Sequence, residues 1–169
     1  MNDVAPDDIP PEELQSFLAY RDRVQGTNIS AQTLLATDYL NHFNEIIMIL
    51  EMIPDVPDCL EEARDWAPRS YQDHFRDSTF RDKELAIEAY DFVPSRFRKP
   101  FEDIVGQMNV MVRTSLERIT AVQEDKEQLR FVCHEASRNL QKMIDYASAV
   151  IHGSDRAMDQ AEIDGFMGR

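Results

Sequence analysis

Leu129, Cys133, Ala136, Leu140, Met143, Ala147 and Val150 recur at alternating spacings of four and three, until Gly153 interrupts them. That period puts all seven on one stripe of an α-helix. Just upstream, Phe101, Ile104, Val105, Met108, Met111, Val112, Leu116, Ile119 and Val122 repeat at helical spacing too. Only Gln123-Glu124-Asp125 separates the two runs, and two helices joined this tightly must lie antiparallel. The expectation is an all-α helical bundle built on a long antiparallel hairpin, about 100–122 and 126–152, with Pro100 in the first turn.

A second helix is expected over about 31–53, with Ser30 as its cap and Pro54 as its stop. Leu35, Tyr39, His42, Ile46, Ile49 and Ile53 make one stripe, and Ala36, Leu40, Phe43, Ile47 and Leu50 make its neighbour. Together they give the wide apolar face of a central helix packed on several others. Shorter helices are expected over about 11–24, 59–66 and 82–92. Tyr71, Phe75 and Phe80 read as aromatic plugs closing one end of the core. The organisation is then a flexible acidic N-terminus over 1–11, a bundle domain over 12–153, and a linker with a short helix over 154–169.

Composition narrows the function classes. Five glycines against eight methionines favour long helices over a turn-rich sheet. A net charge of −14 repels phosphate backbones and anionic lipid, so neither nucleic acid nor membrane is expected as a partner. Cys59 and Cys133 stand apart with no pairing pattern, which suits a reducing compartment. The first residues lack the basic start and apolar run of a signal peptide, so a soluble cytoplasmic protein is expected.

Asp38, His42 and Glu45 fall within about one helix face and are candidate metal ligands. A di-iron bundle needs Glu-x-x-His motifs, and the chain has none. His42 lies inside the apolar stripe, so a core histidine hydrogen-bonded to Asp38 is the better reading, with no metal and no cofactor. No phosphate-binding glycine loop or nucleophile elbow is present.

Beyond Gly153 the pattern changes. Asp159 and Glu162 have the offset of a capping box, and Gly168 supplies a stop. Between them Ile163, Phe166 and Met167 sit at i, i+3 and i+4, one apolar edge beside Glu162 and Asp164. So short a helix is marginal alone in water and is expected to order against a partner.

The run Gln160-Ala161-Glu162-Ile163-Asp164, followed by Phe166-Met167 and Gly168, resembles the N-terminal peptide of the flagellar switch protein FliM. It is similar, more loosely, to the C-terminal peptide of the chemotaxis phosphatase CheZ, which also has a long hairpin before its docking helix. In those families the peptide docks on the chemotaxis response regulator CheY. The resemblance implies a signalling or motility protein with a response-regulator-like partner. It also implies Gln160, Ile163, Asp164, Phe166 and Met167 as contact residues. Here Asp159 stands where the switch peptide has Ser, Gly165 replaces Ala, and the peptide lies at the opposite end from its place in FliM.

A phosphatase of the CheZ kind uses an acid and an amide one helical turn apart. The family's Asp-Leu-Thr-Gly-Gln stretch is missing, and the nearest equivalents are Glu135 with Asn139, then Gln141. These are the candidate catalytic residues if the chain is a response-regulator phosphatase. Residues 131–140 also resemble the H-box of histidine kinases around His134, but the following Pro and an ATP-binding domain are missing. The competing expectation is a structural bundle, or a homodimer built through the 100–152 hairpin, with no catalytic activity.

Overall fold

A computed structural model describes residues 9–154. They form seven α-helices and one 3₁₀ turn, and no strand occurs among them. The helices are α1 (Pro11–Arg23), α2 (Asn41–Met52), α3 (Cys59–Asp65), α4 (Tyr71–Arg76), α5 (Lys83–Tyr90), α6 (Ser95–Val122) and α7 (Lys126–Ile151). The protein is an all-α helical bundle. The chain divides into two units, and α6 and α7 each contribute to both. The described part of the first unit is 9–40, 69–103 and 147–154; that of the second is 41–68 and 104–146.

The first unit is organised around rings. α4 packs on α5, and Tyr71 stacks on Tyr90 with centroids 4.6 Å apart. Phe75 tilts against Tyr71 at 4.8 Å, and Phe101 meets it edge-on at 5.8 Å. Such offset and edge contacts add stabilisation beyond the area they bury. Tyr71 and Phe75 are buried as plugs, while Phe80 is only half-buried against Phe75. On the surface of this unit Arg23 grips Glu88 through both guanidinium nitrogens at 3.1 Å, and Tyr20 donates to the same carboxylate at 2.7 Å.

The long second helix expected from Ser30 onward does not form over 31–36. Ser30 Oγ accepts from Gln32 N at 3.2 Å, closing a local turn instead of capping a helix. Leu34 then takes a φ of +70°, which no α-helix allows. The amides of this stretch find other partners: Leu35 N donates to Thr33 Oγ1, and Ala36 N donates to the Tyr71 hydroxyl at 2.9 Å. Thr33 Oγ1 also donates to the Ile151 carbonyl at 2.6 Å. Buried backbone groups must be satisfied, and here the tertiary partners prevail over the helix. A 3₁₀ turn at Thr37–Leu40 comes next, and α2 proper begins at Asn41.

In the second unit α2 packs on α3. The wide face of α2 is buried through His42, Phe43, Ile46, Ile47 and Leu50. α6 starts five residues before the expected Pro100, which lies in its interior. The first bonds run from Phe97 N and Arg98 N to the Pro94 carbonyl, so Pro94 opens this helix. The cost of Pro100 is one missing donor near a helix end, where packing of Phe97 and Phe101 on either side compensates. The turn after α6 is three residues long, and Asp125 Oδ1 caps α7 by accepting from Gln128 N.

α7 matches the sequence expectation closely. All seven residues of its four-three stripe are buried. Its end is a Schellman motif: Ser154 N donates to the Ala149 carbonyl at 2.9 Å, and Gly153 N to Val150 at 3.0 Å. Gly153 sits at φ +107°, and a Cβ there would come within 2.9 Å of Gln32 Oε1. The positive φ favours glycine at this stop, and any side chain there would also have to displace the end of Gln32.

Candidate functional site

The proposed acid–amide pair lies on α7 in the second unit. Glu135 Oε1 accepts from Arg118 Nη1 of α6 at 3.0 Å, so its carboxylate faces the α6 flank. Asn139 comes one turn later on the same flank, half-buried. Gln141 is elsewhere. Two residues further on means a rotation of about 200° around the helix, and Gln141 Nε2 donates to Glu51 Oε1 of α2 at 3.3 Å. The three candidate catalytic residues therefore do not converge on one point: two line the α6 side of α7 and one lines the α2 side.

On the α2 side a different constellation forms. Ser137 Oγ donates to Glu51 Oε1 at 2.8 Å, and Arg130 Nη2 donates to Asp55 Oδ1 at 2.8 Å. Between these links opens a surface depression of about 600 Å³. Glu51 of α2 and Pro54 of the turn after it wall one side, and Glu127, Arg130, Phe131 and His134 wall it from α7, with buried Cys133 beneath. Burial pushes the Cys133 thiol up to about 11, partly offset by Arg130. At neutral pH it is a protonated, inert thiol. Phe131 is 60% exposed.

The outer face of α2 and the turn after it carry three more exposed apolar side chains. Met48, Met52 and Val56 are 62%, 42% and 51% exposed. Met48 and Met52 stand one turn apart on α2, and Val56, four residues past the helix end, donates its N–H back to the Met52 carbonyl at 2.9 Å. Sequence reading passed over these residues because it tracked the buried stripes. The signal was present nevertheless: Met48, Met52 and Val56 belong to neither stripe of α2, and Phe131 lies outside the stripe of α7.

His42 is a core histidine, buried and stacked on Trp66 at 4.5 Å within the second unit. Trp66 Nε1 donates to the His42 carbonyl at 3.0 Å, which fixes the indole over the ring. Asp38 belongs to the first unit, where its carboxylate accepts from His74 Nε2 at 3.0 Å. Tyr39 covers that imidazole edge-on at 5.5 Å, and its own hydroxyl donates to the Arg69 carbonyl at 2.7 Å. The Tyr39 and Tyr71 phenols are pushed well above their usual range, chiefly by burial. They act as hydrogen-bonding core groups there. The His74–Asp38 pair is a part-buried polar clasp between α4 and the 3₁₀ turn.

Among the described residues, no group of three His, Cys, Asp or Glu side chains is disposed to hold a metal ion. Nor is any helix there long and apolar enough to cross a membrane. The docking residues read from the sequence, Gln160, Ile163, Asp164, Phe166 and Met167, lie outside the described residues, as does the acidic N-terminal stretch before residue 9.

The described residues thus form an acidic helical bundle that leaves part of its apolar surface exposed. Comparison with protein-family models, curated proteins and solved structures found no match for this chain.

Proposed function

We propose that this protein is a protein–protein interaction module of bacterial signalling or motility. Its C-terminal peptide docks as a helix on a response-regulator-like receiver domain. The observation that carries this reading is the peptide itself: Gln160, Ile163, Asp164, Phe166 and Met167 keep the pattern of a switch-protein docking peptide. The Schellman end of α7 supports it, because that motif closes the hairpin at Gly153, ahead of the peptide, as a separate docking segment requires. A two- to three-turn helix gains its order from the groove that receives it, which makes binding reversible and tunable.

The acid–amide pair Glu135 and Asn139 is where a phosphatase activity would reside in the enzymatic extension of this reading. Loss of regulator dephosphorylation in Asn139→Ala, with binding intact, would be its signature.

The test is a calorimetric titration of the full chain against a panel of receiver domains, each in its free and phosphorylated form. One or more should bind, and Ile163→Ala and Phe166→Ala should each weaken that binding by about 1–3 kcal/mol, as buried anchors do. Binding that survives removal of residues 155–169 would place the contact elsewhere on the bundle and reject the tail.

A further inference from the structure

The second unit carries an apolar surface that its own core does not use. Met48 and Met52 stand about 6 Å apart, one turn, on the outer face of α2, and Val56 follows four residues past the helix end. Beside them lies a row of carboxylates, Glu51 and Asp55, and beyond that row opens the depression walled by Phe131. Ridge, acidic row and hollow together make a surface that pairs apolar anchors with negative charge. Methionine suits such a face, since its unbranched and polarisable side chain adapts to different partners.

Charge decides what fits there. Over residues 41–68 seven carboxylates, all exposed, stand against one cation, Arg64. Arg64 is engaged by Glu61 and Thr120, and Arg130 across the row is engaged by Asp55. A second copy of this chain would bring another net charge of −14. The chain's own residues 154–169 carry four carboxylates against two arginines. Both are repelled by such a rim, and so are nucleic acid and anionic lipid. We infer that the Met48–Met52–Val56 ridge and the adjoining Phe131 hollow dock a cationic amphipathic helix of another protein, its aliphatic or aromatic anchors on the ridge and its Lys or Arg side chains on the carboxylate row. This surface is independent of the C-terminal peptide and does not rest on the receiver-domain reading.

The experiment tracks methionine methyl signals of the full chain by NMR, with Met48 and Met52 assigned by substitution to leucine. The probe is a synthetic helical peptide with lysines on one face and leucines and a tryptophan on the other. The Met48 and Met52 methyls should shift saturably, while those of buried Met108 and Met143 stay in place. The Met48→Asp/Met52→Asp double variant should bind at least about tenfold more weakly, as expected for lost anchors. A control peptide with serine for lysine should lose a similar factor, and Glu51→Gln should flatten the salt dependence of binding.

Unmoved Met48 and Met52 methyls at saturating peptide would overturn the inference. Undiminished affinity in the double Asp variant would also overturn it, by reducing the effect to bulk charge. Concentration-dependent dimerisation that this variant abolishes would assign the ridge to a second copy instead.

Discussion

The two units of this molecule solve the same packing problem with different materials. The first fills its core with rings, Phe17, Tyr39, Tyr71, Phe75, Phe97 and Phe101 all being buried. Its polar atoms are tied to the backbone, as the Tyr71 hydroxyl is to Ala36 N and the Thr33 hydroxyl to the Ile151 carbonyl. Among its described residues, Leu18 alone of the large apolar side chains is exposed, at 38%. The second unit is filled mostly by aliphatic and methionine side chains along α2, α6 and α7, and it leaves Met48, Met52, Val56 and Phe131 in water. Rings with fixed hydrogen bonds specify one arrangement, whereas an aliphatic bundle tolerates an apolar outer face because its helices already have their own buried stripes. Among the described residues, then, the first unit is packed around rings, and the second leaves four large apolar side chains exposed.

The sharpest way to break this contrast is to truncate one ring in each unit. Phe75→Ala should cost about 3–5 kcal/mol, since the fully buried ring leaves a cavity that its neighbours fill only in part. A denaturant titration that moved by less than about 1 kcal/mol would show that the aromatic cluster is not what holds the first unit.

A smaller loss is expected from Tyr71→Phe, which keeps the ring and removes only the acceptor for Ala36 N. A buried amide left without a partner costs about 1–3 kcal/mol. Wild-type stability in this variant would mean that the turn over 31–36 does not depend on that bond.

Alkali should then separate the units. Both Cys133 in the second unit and Tyr90 in the first have folded pKa values raised above their ordinary ones, to about 11 and about 12. Burial comes first among the causes in each case, joined for Tyr90 by the Glu102 carboxylate that accepts its hydroxyl proton. A raised acid favours folding fully below its ordinary pKa, and that contribution fades as pH climbs to the folded value. Hydrogen exchange should therefore quicken in the second unit between about pH 9 and 11, and in the first between about pH 10 and 12. Simultaneous loosening would erase the distinction, and Cys133→Ala should remove the earlier phase alone.

The smallest effect is expected at Phe131→Ala, which should shift stability by no more than about 0.5 kcal/mol because the ring is already in water. A cost near that of Phe75→Ala would show that Phe131 packs within its unit and is not offered to a partner.

Much of this was legible residue by residue. The stripe of α7 and its stop could be read from Leu129 to Gly153 because a helix is a local, periodic object and a C-terminal glycine closes it by local geometry. The start of α6 was missed because Pro100 suits a first turn by itself, and only the bonds to Pro94 show that the helix is already under way. In the candidate site, the pairing of Glu135 with Asn139 on one flank came from a spacing of four. Gln141 was grouped with them, although its spacing of two from Asn139 already turns it away, and its tie to Glu51 is a tertiary fact.

By itself, then, the amino-acid order determined the helical class, the inward faces of α6 and α7, and the closure at Gly153, since each depends on neighbours within a few turns. The tertiary structure alone decided that residues 31–36 leave the helix, because Tyr71 and Ile151 offer their amides and hydroxyls better partners from far along the chain. It alone decided that Asp38 holds His74 while His42 stacks on Trp66. Partner choice among polar groups is a competition across the whole fold, and no local period records its outcome.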